Sequence, residues 1–122
     1  GVYIPSFNKQ INYISVHQNR KIDIIGSAHN KSEIEIKKIQ GCKLIFLSPL
    51  FENKKKRPYL NVVKYNLITI NQNVKFIALG GINEKNIDSV YLTKSVGIAG
   101  IRWIKKNGPR VYLRPFYKSL SS

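Results

Sequence analysis

Methionine is absent from these 122 residues, cysteine and tryptophan each occur once, and six acidic side chains face 21 lysines and arginines. The single cysteine, Cys42, excludes an intramolecular disulfide framework and fits a reducing cytoplasm. No apolar run approaches the ~20 residues of a membrane span, and no signal-peptide pattern is present, so a membrane location is not expected. The shortage of acid leaves a net charge of +15 and a pI near 10.1. Such an excess would ordinarily point to nucleic acid, because clustered cations neutralise phosphates and release counterions. Here the lysines are spread along the chain among abundant Ile and Asn, a pattern that biased base composition also produces. No RNA-binding signature or zinc pattern accompanies the charge, so nucleic acid is not the expected partner.

What the chain does have is a repeated alternation of short apolar runs and amphipathic stretches. Gly1 to Pro5 reads as a strand end closed by proline, and Phe7, Ile11 and Ile14 have the spacing of a short helix. Ile22 to Ile25 is the next strand, ending in Gly26-Ser-Ala-His29. Ser32 and Glu35 have capping-box spacing for the following helix, and Gly41 stands where a C-cap glycine belongs. From about Asn61 to Asn71, Val63, Leu67 and Ile70 recur at helical spacing, although β-branched content weakens the signal. Lys75 to Leu79 is a strand running into Gly80-Gly81, and Asn83 is a good N-cap for a helix with Ile87, Val90 and Tyr91 inward. Val96 to Ile104 is the last strand of the alternation. His17 is assigned no role.

The central stretch is Cys42 to Pro58. Its apolar run, Leu44 to Leu47, reads as a buried strand of a parallel sheet. Ser48-Pro49 ends it, because proline has no N–H for a ladder and disfavours helix at the residue before it. The loop beyond carries Lys54, Lys55, Lys56 and Arg57 past the strand's carboxyl end, where parallel α/β folds place their ligands. As a solvated charge run it would mean little; at that position it suggests an anionic substrate.

Strand ends fall near positions 5, 28, 48, 80 and 102 with helices between, which predicts an α/β fold with a parallel sheet. Periodicity does not separate an open flavodoxin-like sheet from the last five strands of a barrel. The pattern divides into a (βα)-repeat domain, residues 1–106, which the resemblance given below makes a partial (βα) barrel, and a C-terminal tail, 107–122. In the tail an Asn-Gly turn precedes Val111 to Leu113, which predicts either a hairpin or an irregular cover. The length is well short of the roughly 250 residues of a complete eight-fold barrel. With Gly1 in place of Met, the expectation is a fragment that needs a missing N-terminal half or a homo-oligomeric partner.

Four segments, in order, resemble the thiamine phosphate synthase family and its sister branch of thiazole tautomerases. Leu47-Ser-Pro-Leu-Phe51 with Asn53 and Lys56 is similar to that family's Ser/Gly-Pro-x-Phe-Pro-Thr-x-Thr-Lys segment at the sixth strand. Gly26 to His29 is similar to its Gly-x-Ser-x-His at the fifth, Ile77 to Ile82 to its Ala-Ile-Gly-Gly-Ile at the seventh, and Gly97 to Arg102 to its last strand. The resemblance implies about strands 4 to 8 of a TIM barrel. It also implies a transferase joining hydroxymethylpyrimidine diphosphate to thiazole phosphate with release of diphosphate.

By the resemblance, Lys56 would be the cation for the departing diphosphate, Ser27 would bond the pyrimidine or diphosphate side, and His29 would hold the proton-shuttling position of the tautomerases. Gly80, Gly81, Ile101 and Arg102 would hold the thiazole phosphate, with Asn53 and Lys55 in the threonine positions of the cationic loop. A glycine pair lets backbone N–H groups approach a phosphate, and the start of the next helix points its positive end the same way. The family's magnesium aspartate, in its Gly-Gln-Asp/Glu-Asp run, aligns with Asn8, so Mg²⁺ is the implied cofactor at a position that here carries an amide. Both Arg102 and Lys55 add positive charge where the family has a hydroxyl. The alternatives are a tautomerase-like isomerase, which needs no metal, and a non-catalytic binder of thiazole or thiamine phosphate.

Overall fold

The computed structural model describes residues 2–9, 24–52, 58–99 and 111–113. The described strands are β1 (Val2–Ile4), β2 (Ile24–Ala28), β3 (Leu44–Leu47), β4 (Lys75–Leu79), β5 (Gly97–Ala99) and β6 (Val111–Leu113). They form one sheet in the order β1-β2-β3-β4-β5-β6. Neighbours from β1 to β5 are parallel, and β6 lies antiparallel to β5. The sequential order decides between the two architectures that periodicity left open. Each connection steps the same way, as around a barrel, whereas a flavodoxin-like sheet reverses direction after its first two strands. In the tail, expected to be either a hairpin or an irregular cover, β6 pairs with β5 and adds one strand at that edge of the sheet.

Register assigns the side chains to two faces. Ala28, Leu47, Ala78 and Ile98 are aligned across four strands, as are Ile4, Gly26, Ile45 and Phe76. This face belongs to the core, where it packs with Ile34 of α1 (Lys31–Ile39), Tyr65 of α2 (Asn61–Thr69), and Ile87 and Val90 of α3 (Ile87–Val90). Ser27, Phe46, Ile77 and Gly97 align on the opposite face. Ile77 is buried there, yet lies outside the core cluster.

Three local findings differ from the sequence expectation. The cap of α1 is Asn30, whose Oδ1 accepts the Glu33 N–H at 2.9 Å; Ser32 is an exposed helix residue. Asn30 to Glu33 has the same four-residue frame as Ser32 to Glu35, and the chain uses the earlier one. In α2 the inward residues are Tyr65 and Thr69, while Val63, Leu67 and Ile70 are all more than half exposed. Tyr65 fills the core with its ring, and the buried Thr69 hydroxyl is satisfied by donating to Tyr65 O at 2.9 Å. Finally, α3 has four residues only. Asn83 Oδ1 accepts from Lys85 N and Asn86 N and so caps the turn before it. A helix that short contributes little dipole to the site.

The C-cap glycine of α1 is as expected. Gly41 has φ +92, its N–H donates to Lys38 O, and the Cys42 N–H donates to Lys37 O, which together complete a Schellman motif. The expected helix through Ile11 and Ile14, and His17, lie outside the described residues.

Candidate functional site

The parallel pairing of β1 to β5 puts their carboxyl ends on one rim, and the loops that follow carry the candidate residues. Ser27 is the penultimate residue of β2, on the face away from the helices. The Tyr3 phenol, from the neighbouring strand, donates to Ser27 Oγ at 2.9 Å. A hydroxyl that accepts one bond keeps its own proton for another acceptor. Tyr3 was not singled out from sequence; the only signal for it was its place, one residue short of its strand end as Ser27 is.

His29 follows β2 directly. Its Nδ1 lies 3.0 Å from Glu33 Oε1, and its backbone N–H donates to the same oxygen at 2.7 Å. A carboxylate only accepts, so this bond is made by a proton on Nδ1, with Nε2 the ring nitrogen outside it. Asn30, by capping the Glu33 amide, fixes the turn that presents this carboxylate. Glu33 was also missed from sequence, although a His followed four residues later by Glu at a helix start is readable.

Gly80 and Gly81 have φ of +99 and +72, a region that penalises any side chain. Their Cβ positions do not face open space. A Cβ on Gly80 would lie 2.6 Å from Pro49 Cα, and one on Gly81 would lie 2.5 Å from Phe51 O. The glycines therefore let the loop after β4 lie against the loop after β3. Leu50 N–H donates to Leu79 O, Phe51 N–H to Gly80 O, and Asn86 Nδ2 to Gly81 O, so three successive carbonyls of this turn are held by protein donors.

Asn8, after β1, is held from below. Its carbonyl accepts from Lys37 Nζ at 2.7 Å and from Gln40 Nε2 at 2.9 Å, and Lys37 Nζ also donates to Gln40 Oε1 at 2.8 Å. Lys37 and Gln40 are fully buried. Burial pushes the Lys37 amine below the usual lysine value, opposed by the nearby Cys42 and Glu33, and burial raises the Cys42 thiol to about 11. The donor set here is a poor match for Mg²⁺, which takes carboxylates and water: the side chain is an amide and the main-chain oxygen is already taken twice. Among the described residues no group of three or more His, Cys, Asp or Glu could hold a metal ion. No helix among them is long and apolar enough to cross a membrane.

The rim thus brings together Ser27, His29, Gly80, Gly81 and the Asn8 loop. Asn53, Lys55, Lys56, Ile101 and Arg102 lie outside the described residues.

A protein-family model described as thiamine monophosphate synthase matches residues 8–104 of the chain. A thiamine-phosphate synthase of Prochlorococcus marinus is 38% identical over 78 residues, which cover 62% of this chain and 22% of that protein. The solved structure of a thiamine phosphate pyrophosphorylase from Pyrococcus furiosus superposes with a TM-score of 0.65 at 21% identity, covering 83% of this chain and 48% of the other. The sheet and helices described above therefore share the barrel-type fold of that structure, and the chain spans about half of its length or less in both relatives.

Proposed function

This chain belongs to the thiamine monophosphate synthase family, and from that membership we propose that it supplies the carboxyl-terminal strand ends of a synthase joining a hydroxymethylpyrimidine diphosphate to a thiazole phosphate. The observation that carries the reading is the placement of Ser27, His29 and the Gly80-Gly81 turn, from separate parts of the matched region, at carboxyl ends of parallel strands on one rim of the sheet.

In this reaction the bond between the pyrimidine methylene carbon and the diphosphate oxygen breaks, its electron pair leaving with the diphosphate. The thiazole nitrogen then gives its lone pair to the methylene carbon. The protein's work is to hold the two rings in line and to meet charge on the departing group with fixed donors. Ser27, its oxygen engaged by Tyr3, directs its proton to the pyrimidine or diphosphate side. The turn at Gly80 and Gly81, with its carbonyls held back by Leu50, Phe51 and Asn86, offers its amides to the thiazole phosphate. By the family's pattern, Lys56 is assigned as the cation for the diphosphate, Asn53 and Lys55 as further donors to phosphate oxygen, and Arg102 as a partner of the thiazole phosphate.

A second reading has its own observation. The His29–Glu33 pair leaves Nε2 poised to take and return a proton, which is the work of a thiazole tautomerase and needs no metal. One assay separates the two: coupling of pyrimidine diphosphate with thiazole phosphate by the longest natural form of this chain, compared with Lys56→Ala. Thiamine phosphate formed by the wild type, and reduced at least a hundredfold in the variant, supports the synthase. Thiazole phosphate bound without product refutes it in favour of the tautomerase or a binder.

A further inference from the structure

Gly26 lies on the core face of β2, and a Cβ built there would be 2.7 Å from Lys37 Cδ and 2.7 Å from Cys42 Sγ. The missing side chain is the room through which the Lys37 stem passes. The lysine rises from the last turn of α1 along Gly26, and its amine meets the loop after β1 at the Asn8 carbonyl. Gln40, one turn on in sequence, donates to the same oxygen and accepts from the same amine. The result is a closed triangle of three hydrogen bonds, with both side chains at 0% exposure. Among the described ion pairs none involves Lys37, so its polar partners here are a neutral carbonyl and a neutral amide.

We propose that in this chain the loop after β1 is clamped by Lys37 and Gln40 and does not bind a divalent cation. A carbonyl oxygen has two lone pairs, and the Asn8 oxygen spends both on buried donors. A metal that took this oxygen would have to displace donors of the buried Lys37 and Gln40 side chains from it, which is costly. With the amine protonated, the incoming ion would also meet a like charge at contact distance in a low-dielectric surround. With the amine neutral, its N–H groups still occupy the oxygen. Either way, what would serve as a ligand for a hard cation serves here as a structural acceptor. The inference leans on the family reading only for where a cation would be sought, and it is tested without turnover, so failure of the coupling assay would leave it standing.

The test is a titration of the ¹⁵N-labelled protein with Mn²⁺ alone, reading paramagnetic broadening of the Ser6, Phe7 and Asn8 amides. The wild type should show no selective broadening there. Asn8→Asp restores a carboxylate under an intact clamp and should bind weakly. The double variant Asn8→Asp/Lys37→Met removes the amine while keeping an unbranched stem beside Gly26, and should bind at least tenfold tighter than Asn8→Asp. Selective, saturable broadening in the wild type would overturn the proposal, and so would equal affinity of the single and double variants. The wild-type titration needs no substitution, so the proposal stays refutable even if the double variant does not fold.

Discussion

On the helix-backed face of the sheet, Ile4, Gly26, Ala28, Ile45, Leu47, Phe76, Ala78 and Ile98 are all buried, while on the other face Tyr3 is 57% exposed and Ile25, Ser27, Leu44 and Phe46 are only partly covered. Strands β1 to β3 thus act as core on one side and stay partly open on the other, whereas Ile77 and Gly97 of β4 and β5 are buried on that second face. Polar groups are treated accordingly. Ser27 and Tyr3 share one bond on the less covered face and keep capacity for a ligand. On the closed side, Lys37 and Gln40 are tied to each other and to the Asn8 carbonyl. Inside a low-dielectric core, a polar group has to be satisfied by its neighbours; beside water it can wait for a partner.

The sharpest way to break this contrast is to truncate adjacent residues of β3. Ile45→Ala should cost about 2–5 kcal/mol, because a closely packed site keeps most of the cavity. Phe46→Ala removes more atoms yet should cost less, roughly 1–2 kcal/mol, because its side was never fully closed. Urea unfolding of both variants checks this, and the reverse ranking would mean that the second face is as much core as the first.

A smaller effect sharpens the closed side. Burial raises the Cys42 thiol to about 11 from an ordinary value of 9.0. Between those values the unfolded chain has lost the proton and the folded chain keeps it, so this thiol's contribution is complete below pH 9 and fades as pH rises through 11. The fading amounts to about 3 kcal/mol. The lowered Lys37 amine works in the opposite direction: in its window the unfolded chain holds the extra proton, so its contribution grows as pH rises toward 10.5. Comparing wild type with Cys42→Ala isolates the thiol, and the stability gap between them should narrow from pH 8 to pH 11.

The smallest effect concerns the rim. Asn30→Ala should cost about 1 kcal/mol through loss of the α1 cap. Ser32→Ala should stay within about 0.5 kcal/mol, as an exposed helix position does. Thermal unfolding of the two variants would separate the two overlapping capping frames.

Much of the fold is written plainly in the chain. The apolar runs end at Ile4, Ala28, Leu47 and Leu79 close to where punctuation by proline, glycine and polar residues puts them. Gly41 is legible as a C-cap because only an αL position calls for glycine just there. What was illegible depends on the third dimension. Val63, Leu67 and Ile70 are apolar and correctly spaced, yet the neighbouring stripe with Tyr65 and Thr69 faces the core. Hydrophobic periodicity overlooks a tyrosine and a self-satisfied threonine. Sequential strand order has no periodic signature at all. Around the candidate site, Ser27, His29 and the glycine pair are legible as strand-end residues, whereas Tyr3 and Glu33, which bond to two of them, were not singled out. Lys37 had no signal, since a lysine on a helix reads as solvated and only the absent Gly26 side chain makes its burial possible.

The loop after β3 is also tied at its base: Leu60 N–H donates to Pro49 O at 2.9 Å and Asn61 N–H to Leu50 O at 2.7 Å, just outside the cationic stretch. With both ends moored, the number of residues between them is thermodynamically cheap to change, since doubling a closed loop costs only about 0.6 kcal/mol. Residues can be inserted or removed there at little expense to the sheet.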